Sequence, residues 1–96
     1  MVNRDTILDL LTQHNQQLRE RFTVKRIGLF GSYARGEADL GSDIDLLVEL
    51  EQPTYDHYMD LKFHLEDLFQ TPVDLVMADT VKPRLEPYIS REVVYA

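Results

Sequence analysis

The chain contains no cysteine. Disulfide frameworks, zinc–thiolate sites, iron–sulfur clusters and cysteine nucleophiles are therefore excluded. A domain this small that works outside the cell often relies on covalent staples, so their absence favours an intracellular setting. No apolar run approaches the roughly 20 residues of a membrane-spanning helix. The opening stretch from Met1 to Leu11 lacks the basic-then-apolar pattern of a secretory signal. Positive charge is scarce: 10 Lys and Arg stand against 17 Asp and Glu, a formal net charge of −7. That balance repels a nucleic-acid backbone and suits a metal cation or a basic protein partner. No internal repeat, low-complexity tract or Gly/Ser-rich linker divides the chain. The expectation is one cytoplasmic domain, residues 1–96, with no direct contact to nucleic acid or membrane.

What is present is ordinary globular composition, 44% apolar over 96 residues, which provides for one core and one site. Ile7, Leu11, His14, Leu18 and Phe22 recur at steps of three and four and predict one helix from about Asn3, its N-cap, to Phe22. His14 in that stripe reads as a partly buried helix histidine. Val24 to Phe30 reads as a strand, followed by Gly31-Ser32, a short turn of helix and a polar loop through Gly36 and Gly41. From Asp43 to Leu50, Ile44, Leu46, Val48 and Leu50 alternate with Asp43, Asp45, Leu47 and Glu49, which predicts a second strand with the first set facing the core. Tyr55 to Phe69 carries a helical stripe of Tyr58, Leu61, Leu65 and Leu68, with His57 and His64 off the stripe and expected in solvent. A third strand, Val73 to Met77, a short helix, Pro83 to Arg91, and a short edge strand, Val93 to Tyr95, complete the order. The fold class is α+β, a small mixed sheet with helices on one face.

The chemistry concentrates in Gly31-Ser32-Tyr33-Ala34-Arg35-Gly36 and Ser42-Asp43-Ile44-Asp45-Leu46. Asp43 and Asp45 are two apart in a strand, so both leave the same face, about 7 Å apart at the backbone. Carboxylates that close repel unless a cation lies between them, and Mg²⁺ is the natural partner of oxygen-only donors. Asp74 interrupts the apolar run Val73 to Val76; if Val73 and Leu75 face the core, Asp74 joins Asp43 and Asp45. Gly31-Ser32 follows an apolar strand and opens a helix turn, a corner whose backbone N–H groups attract phosphate. The Ser32 hydroxyl adds a hydrogen bond, and Arg35 either neutralises phosphate charge or pairs with Glu37 or Asp39. An Asp-x-Asp alone is usually a solvated face, a Gly-Ser turn alone usually a turn, and Asp74 alone reads as an edge-strand charge. Their combination in one order is far more specific.

Gly31-Ser32, ten residues, Asp43-x-Asp45 and then Asp74 resemble the DNA polymerase β-like nucleotidyltransferase superfamily. The stretch from Gly31 to Leu50 and the run Arg84 to Val93 resemble its minimal nucleotidyltransferases, the antitoxins paired with HEPN-type ribonuclease toxins. The resemblance implies a small mixed sheet flanked by helices. It implies that Gly31 and Ser32 bind the nucleotide, to which the charge of Arg35 adds a further nucleotide-binding candidate, and that Asp43, Asp45 and Asp74 are both catalytic residues and ligands of Mg²⁺, with two ions. Asp74 would help to activate the acceptor hydroxyl. The implied activity is transfer of AMP from ATP to a tyrosine of the toxin, within a hetero-oligomeric complex. No matched position departs from the pattern.

Larger relatives carry extra domains for the base or the acceptor, whereas this chain runs only about twenty residues past its third acid. It is expected to have little surface for an acceptor pocket, which a protein partner supplying the acceptor would make unnecessary. Tyr55, Tyr58, Tyr88 and Tyr95 offer aromatic contact area, although Tyr58 reads as ordinary packing. Two other readings compete: neutralisation of the partner by binding alone, with a vestigial or regulatory nucleotide site, and adenylylation of a small molecule, which the length disfavours.

Overall fold

The computed structural model describes residues 2–96. Two helices lead, α1 (Arg4–Gln13) and α2 (Asn15–Phe22), followed by β1 (Val24–Phe30), α3 (Gly31–Arg35), β2 (Ile44–Leu50), α4 (Tyr55–Phe69), β3 (Val73–Met77), α5 (Glu86–Glu92) and β4 (Val94–Tyr95). A single 3₁₀ turn, Ala78–Thr80, leaves β3. The sheet order is β3-β2-β1-β4, with β1 antiparallel to β2 and β4, and β2 parallel to β3. The sheet is therefore mixed, as expected. Among the described residues no helix is long and apolar enough to cross a membrane.

The leading segment is two helices rather than one. Asn3 caps α1 as expected, its Oδ1 accepting from the Thr6 N–H at 2.9 Å. The Thr12 hydroxyl then donates to the Leu8 carbonyl at 2.9 Å. Such back-bonding competes with the helical ladder and bends it, and the break falls at His14, whose ψ is 6°. The ladder resumes at once, since Leu18 N–H donates to the His14 carbonyl, so the apolar stripe survives the break.

The core lies between these helices, α4 and one face of the sheet. Ile7, Leu11, Leu18, Leu29, Ile44, Leu46, Leu61 and Leu65 are all fully buried, each contributing about 1.5–3 kcal/mol by leaving water. The predicted alternation in β2 is observed, with Ile44, Leu46, Val48 and Leu50 buried. Tyr58 packs as expected, its hydroxyl donating to the Leu75 carbonyl at 2.6 Å.

Four further expectations require correction. His64 does not stand free in solvent: its ring lies 5.2 Å from that of Phe22 and 6.4 Å from that of His14, and its Nε2 is buried with no partner. The cause is α2, which covers that flank of α4. His57 is also partly covered, with Nδ1 2.8 Å from the Gln52 carbonyl. The helices are not confined to one face. α5 begins at Glu86, with Pro87 rather than Pro83 in its first turn, and it lies with the 3₁₀ turn beside Leu47 on the opposite face.

Candidate active site

The register assembles the acids. Asp45 in β2 pairs across β1 with Phe30 and across β3 with Asp74. Paired residues share a face, so Asp45 and Asp74 stand side by side on the face opposite the core. Val73 and Leu75 are buried while Asp74 is exposed, the arrangement that alternation required. Asp43 immediately precedes β2, and the loop delivering it is pinned by its own side chains. Asp39 Oδ1 accepts from the Gly41 N–H at 2.9 Å and from the Ser42 hydroxyl at 3.2 Å.

β1 ends at Phe30, beside Asp45, and turns there into α3. Gly31 has φ +76°, a conformation open to glycine and costly for other residues. A Cβ at this position would lie 2.0 Å from Asp45 Oδ2. The Gly-Ser corner and the Asp-x-Asp strand are therefore one structure, the glycine backbone resting directly on the Asp45 carboxylate. Phe30 offers no side-chain cap to α3, so the first N–H groups of that turn keep their bonding capacity. Tyr33 is buried and anchors the turn, while Ser32 remains partly exposed.

Burial pushes the Asp45 carboxyl up to about 6, helped by the neighbouring Asp74 and Asp43 and opposed by Arg35. The smaller contributions of Asp74 and Asp43 are the repulsion anticipated for clustered acids. Among the described residues no three His, Cys, Asp or Glu side chains converge tightly enough to enclose a metal ion. Asp45 and Asp74 share a face, and Asp43 adds a third negative charge near them.

Arg35 follows Ser32 by three residues, and its guanidinium is engaged within the protein. Nε donates to Glu37 at 3.0 Å, and Nη1 donates to Glu92. Of the two carboxylates weighed from sequence, Glu37 is the one used. Glu92, 57 residues away, had no local signal; only the return of α5 beside α3 brings it there.

The C-terminal arm also builds more than its length suggested. A cleft of about 260 Å³ opens between the sheet and this arm, on the face of the acids. Leu47 forms its floor, one same-face step along β2 from Asp45. Two larger open hollows lie elsewhere, around Arg19 and Lys25 and around Phe63 and His64, away from the acids.

The profile of the nucleotidyltransferase domain matches residues 11–96. The protein adenylyltransferase MntA of Thermococcus cleftensis is 45% identical over 96 residues, spanning 99% of this chain and 97% of that protein. A solved minimal nucleotidyltransferase superposes with a TM-score of 0.81 at 36% identity, covering 97% of this chain and 95% of that one. A chain from a toxin–antitoxin crystallised with AMP-PNP superposes with a TM-score of 0.71 at 25% identity, covering 98% of this chain and 72% of that one.

Proposed function

The chain belongs to the nucleotidyltransferase domain family, and from that premise we propose that it is a cytoplasmic antitoxin that transfers AMP from ATP to a tyrosine of a HEPN-type ribonuclease toxin. The observation that carries this reading is the contact of Gly31 with the Asp45 carboxylate, with Asp74 in register beside it. A phosphate corner and an acid row in contact are what nucleotidyl transfer requires. The likeness to MntA supports protein as the acceptor, and the likeness to a toxin–antitoxin chain supports a toxin as that protein.

The donor chemistry suits Mg²⁺: Asp43, Asp45 and Asp74 offer oxygen only, and at Asp45 burial and like-charge neighbours impose a cost that a cation relieves. Asp43, Asp45 and Asp74 would hold two such ions, which supply charge neutralisation to the reacting phosphate oxygens. Gly31 and the N–H groups opening α3 bind the terminal phosphates, and the Ser32 hydroxyl donates to one of their oxygens. Arg35 exchanges part of its bonding to Glu37 for phosphate. The tyrosine oxygen attacks the α-phosphorus, the new O–P bond forms, the bond to the bridging oxygen breaks, and pyrophosphate leaves. Tyrosine titrates near ~10, so its proton must be removed, and the Asp74 carboxylate takes it from the phenolic oxygen.

The test is to mix purified toxin with a tenth as much of this protein, with and without ATP and Mg²⁺. Lasting loss of RNA cleavage only with ATP, and adenylyl mass on a tyrosine peptide, is the expected result. Inhibition that scales one-to-one and ignores ATP overturns it in favour of binding alone. Excess chelator is expected to stop transfer, and added Mg²⁺ or Mn²⁺ to restore it.

A further inference from the structure

The cleft beside the acid row has a floor and a rim of different chemistry. Leu47, Val81 and Ile89 give it an apolar lining, and the Tyr95 ring forms a wall with the Arg26 guanidinium 4.4 Å from its centroid. Arg26 also pairs with Glu49 at 3.4 Å. Asp79 and Glu86 border the cleft, are exposed, and have no ion-pair partner among the described residues. Glu49, the third carboxylate of the lining, is shared between Arg26 and Lys25, the latter at 3.7 Å. Leu85 and Tyr88, on the same arm, are 45% and 62% exposed. Leu47 and Asp45 leave the same face two residues apart, about 7 Å along the strand.

We propose that this cleft is the acceptor subsite, which takes the aromatic ring of the tyrosine to be modified within a basic segment of the partner protein. The inference rests on the transfer reading and adds to it the chemistry of the acceptor. A ring seated on Leu47 and Ile89 directs its hydroxyl along β2 toward Asp45 and Asp74. Asp79 and Glu86 attract Lys or Arg flanking that tyrosine, and their charge repels the anionic phosphates of a nucleotide. The nucleotide is thereby left to the Gly31 corner, and its α-phosphorus meets the phenolic oxygen over the acid row.

The experiment is an NMR titration of the isotope-labelled protein, needing neither metal nor turnover. The probe is a synthetic peptide with one tyrosine between two pairs of arginines; a second peptide has glutamates in place of the arginines. The arginine peptide is expected to shift resonances of Leu47, Ile89, Ser90 and Tyr95, and the glutamate peptide to leave them in place. The exposed double variant Asp79→Lys/Glu86→Lys is expected to weaken the arginine peptide about tenfold while its core resonances stay where the wild type has them. Shifts centred on the hollow around Phe63 and His64, no binding, or binding indifferent to the double variant overturns the proposal. Shifts of the same cleft residues by AMP-PNP, in competition with the peptide, give the cleft to the base and also overturn it. A wild-type protein that binds the peptide in the cleft yet transfers no AMP to the toxin refutes the transfer reading alone.

Discussion

On one face of the sheet, Ile27, Leu29, Ile44, Leu46 and Val48 lie with α1, α2 and α4, none more than 2% exposed. On the other, at alternate positions of the same strands, Arg26, Asp45 and Glu49 stay partly in water, joined by Asp74 from β3. The difference teaches that a two-residue period divides labour within one strand. The first set supplies stability by leaving water; the second keeps charge where pairing is incomplete. A change at one position should therefore be able to damage stability or chemistry while sparing the other.

The widest separation is expected between Leu61→Ala and Asp45→Asn. Leu61 is fully buried, and its truncation should cost about 2–5 kcal/mol in denaturant unfolding. Asp45→Asn, or Asp43→Asn, should drop adenylyl transfer below roughly a tenth of wild type. At Asp45 the change removes a strained charge, so stability should hold or rise by on the order of 1 kcal/mol after allowance for solvent screening. Active Asn variants, or an Asn variant at Asp45 that unfolds early, would break the comparison.

Gly31→Ala strikes where the two regions meet. The positive φ and the approach to Asp45 Oδ2 both oppose a Cβ. The expected cost is about 1–3 kcal/mol in stability, with loss of transfer because Asp45 must move. Ser32→Ala should be narrower. Losing one hydrogen bond to a charged phosphate costs about 1.5–3 kcal/mol, read as a roughly ten- to hundredfold lower rate at limiting ATP with unchanged melting.

The smallest effect is in pH, and it should carry opposite signs on the two faces. Asp45 has its carboxyl raised from 3.8 to about 6, so the folded protein holds that proton more tightly than the unfolded chain. Its contribution favours folding as pH falls from about 6 toward 4 and is lost as pH rises through 6. His64 is pushed below its ordinary 6.5, first by burial and then by Arg21 and His14. Its contribution is present above 6.5 and declines as the pH falls through the lowered value. Melting the metal-free protein across this range, beside Asp45→Asn and His64→Gln, separates the two: the first variant loses the acid-side gain and the second loses the acid-side penalty.

Much of this was legible in the residues. The strands β1 and β3 and helix α4 have the bounds their patterns predict, because each carries a clean period and an abrupt end. The stripe of α4 places His64 in solvent because it describes one helix, while the burial comes from α2 lying on a second flank of α4. The break at His14 had only the Thr12 hydroxyl as its signal. The pattern predicts a C-terminal helix that starts too early, because Pro83 and Pro87 both suit a first turn.

By itself the sequence determined which residues could do chemistry. The alternation in β2 commits Asp43 and Asp45 to one face, and the apolar neighbours of Asp74 commit it away from the core; these are local consequences of backbone geometry. Only the tertiary structure decided which of them meet. The parallel register of β2 with β3 sets Asp74 beside Asp45, the turn after β1 lays Gly31 on that carboxylate, and the returning arm brings Glu92 to Arg35 and closes a cleft over Leu47. Register and packing join residues far apart in the chain, and they are set by how the whole core excludes water, a quantity no short stretch of sequence contains.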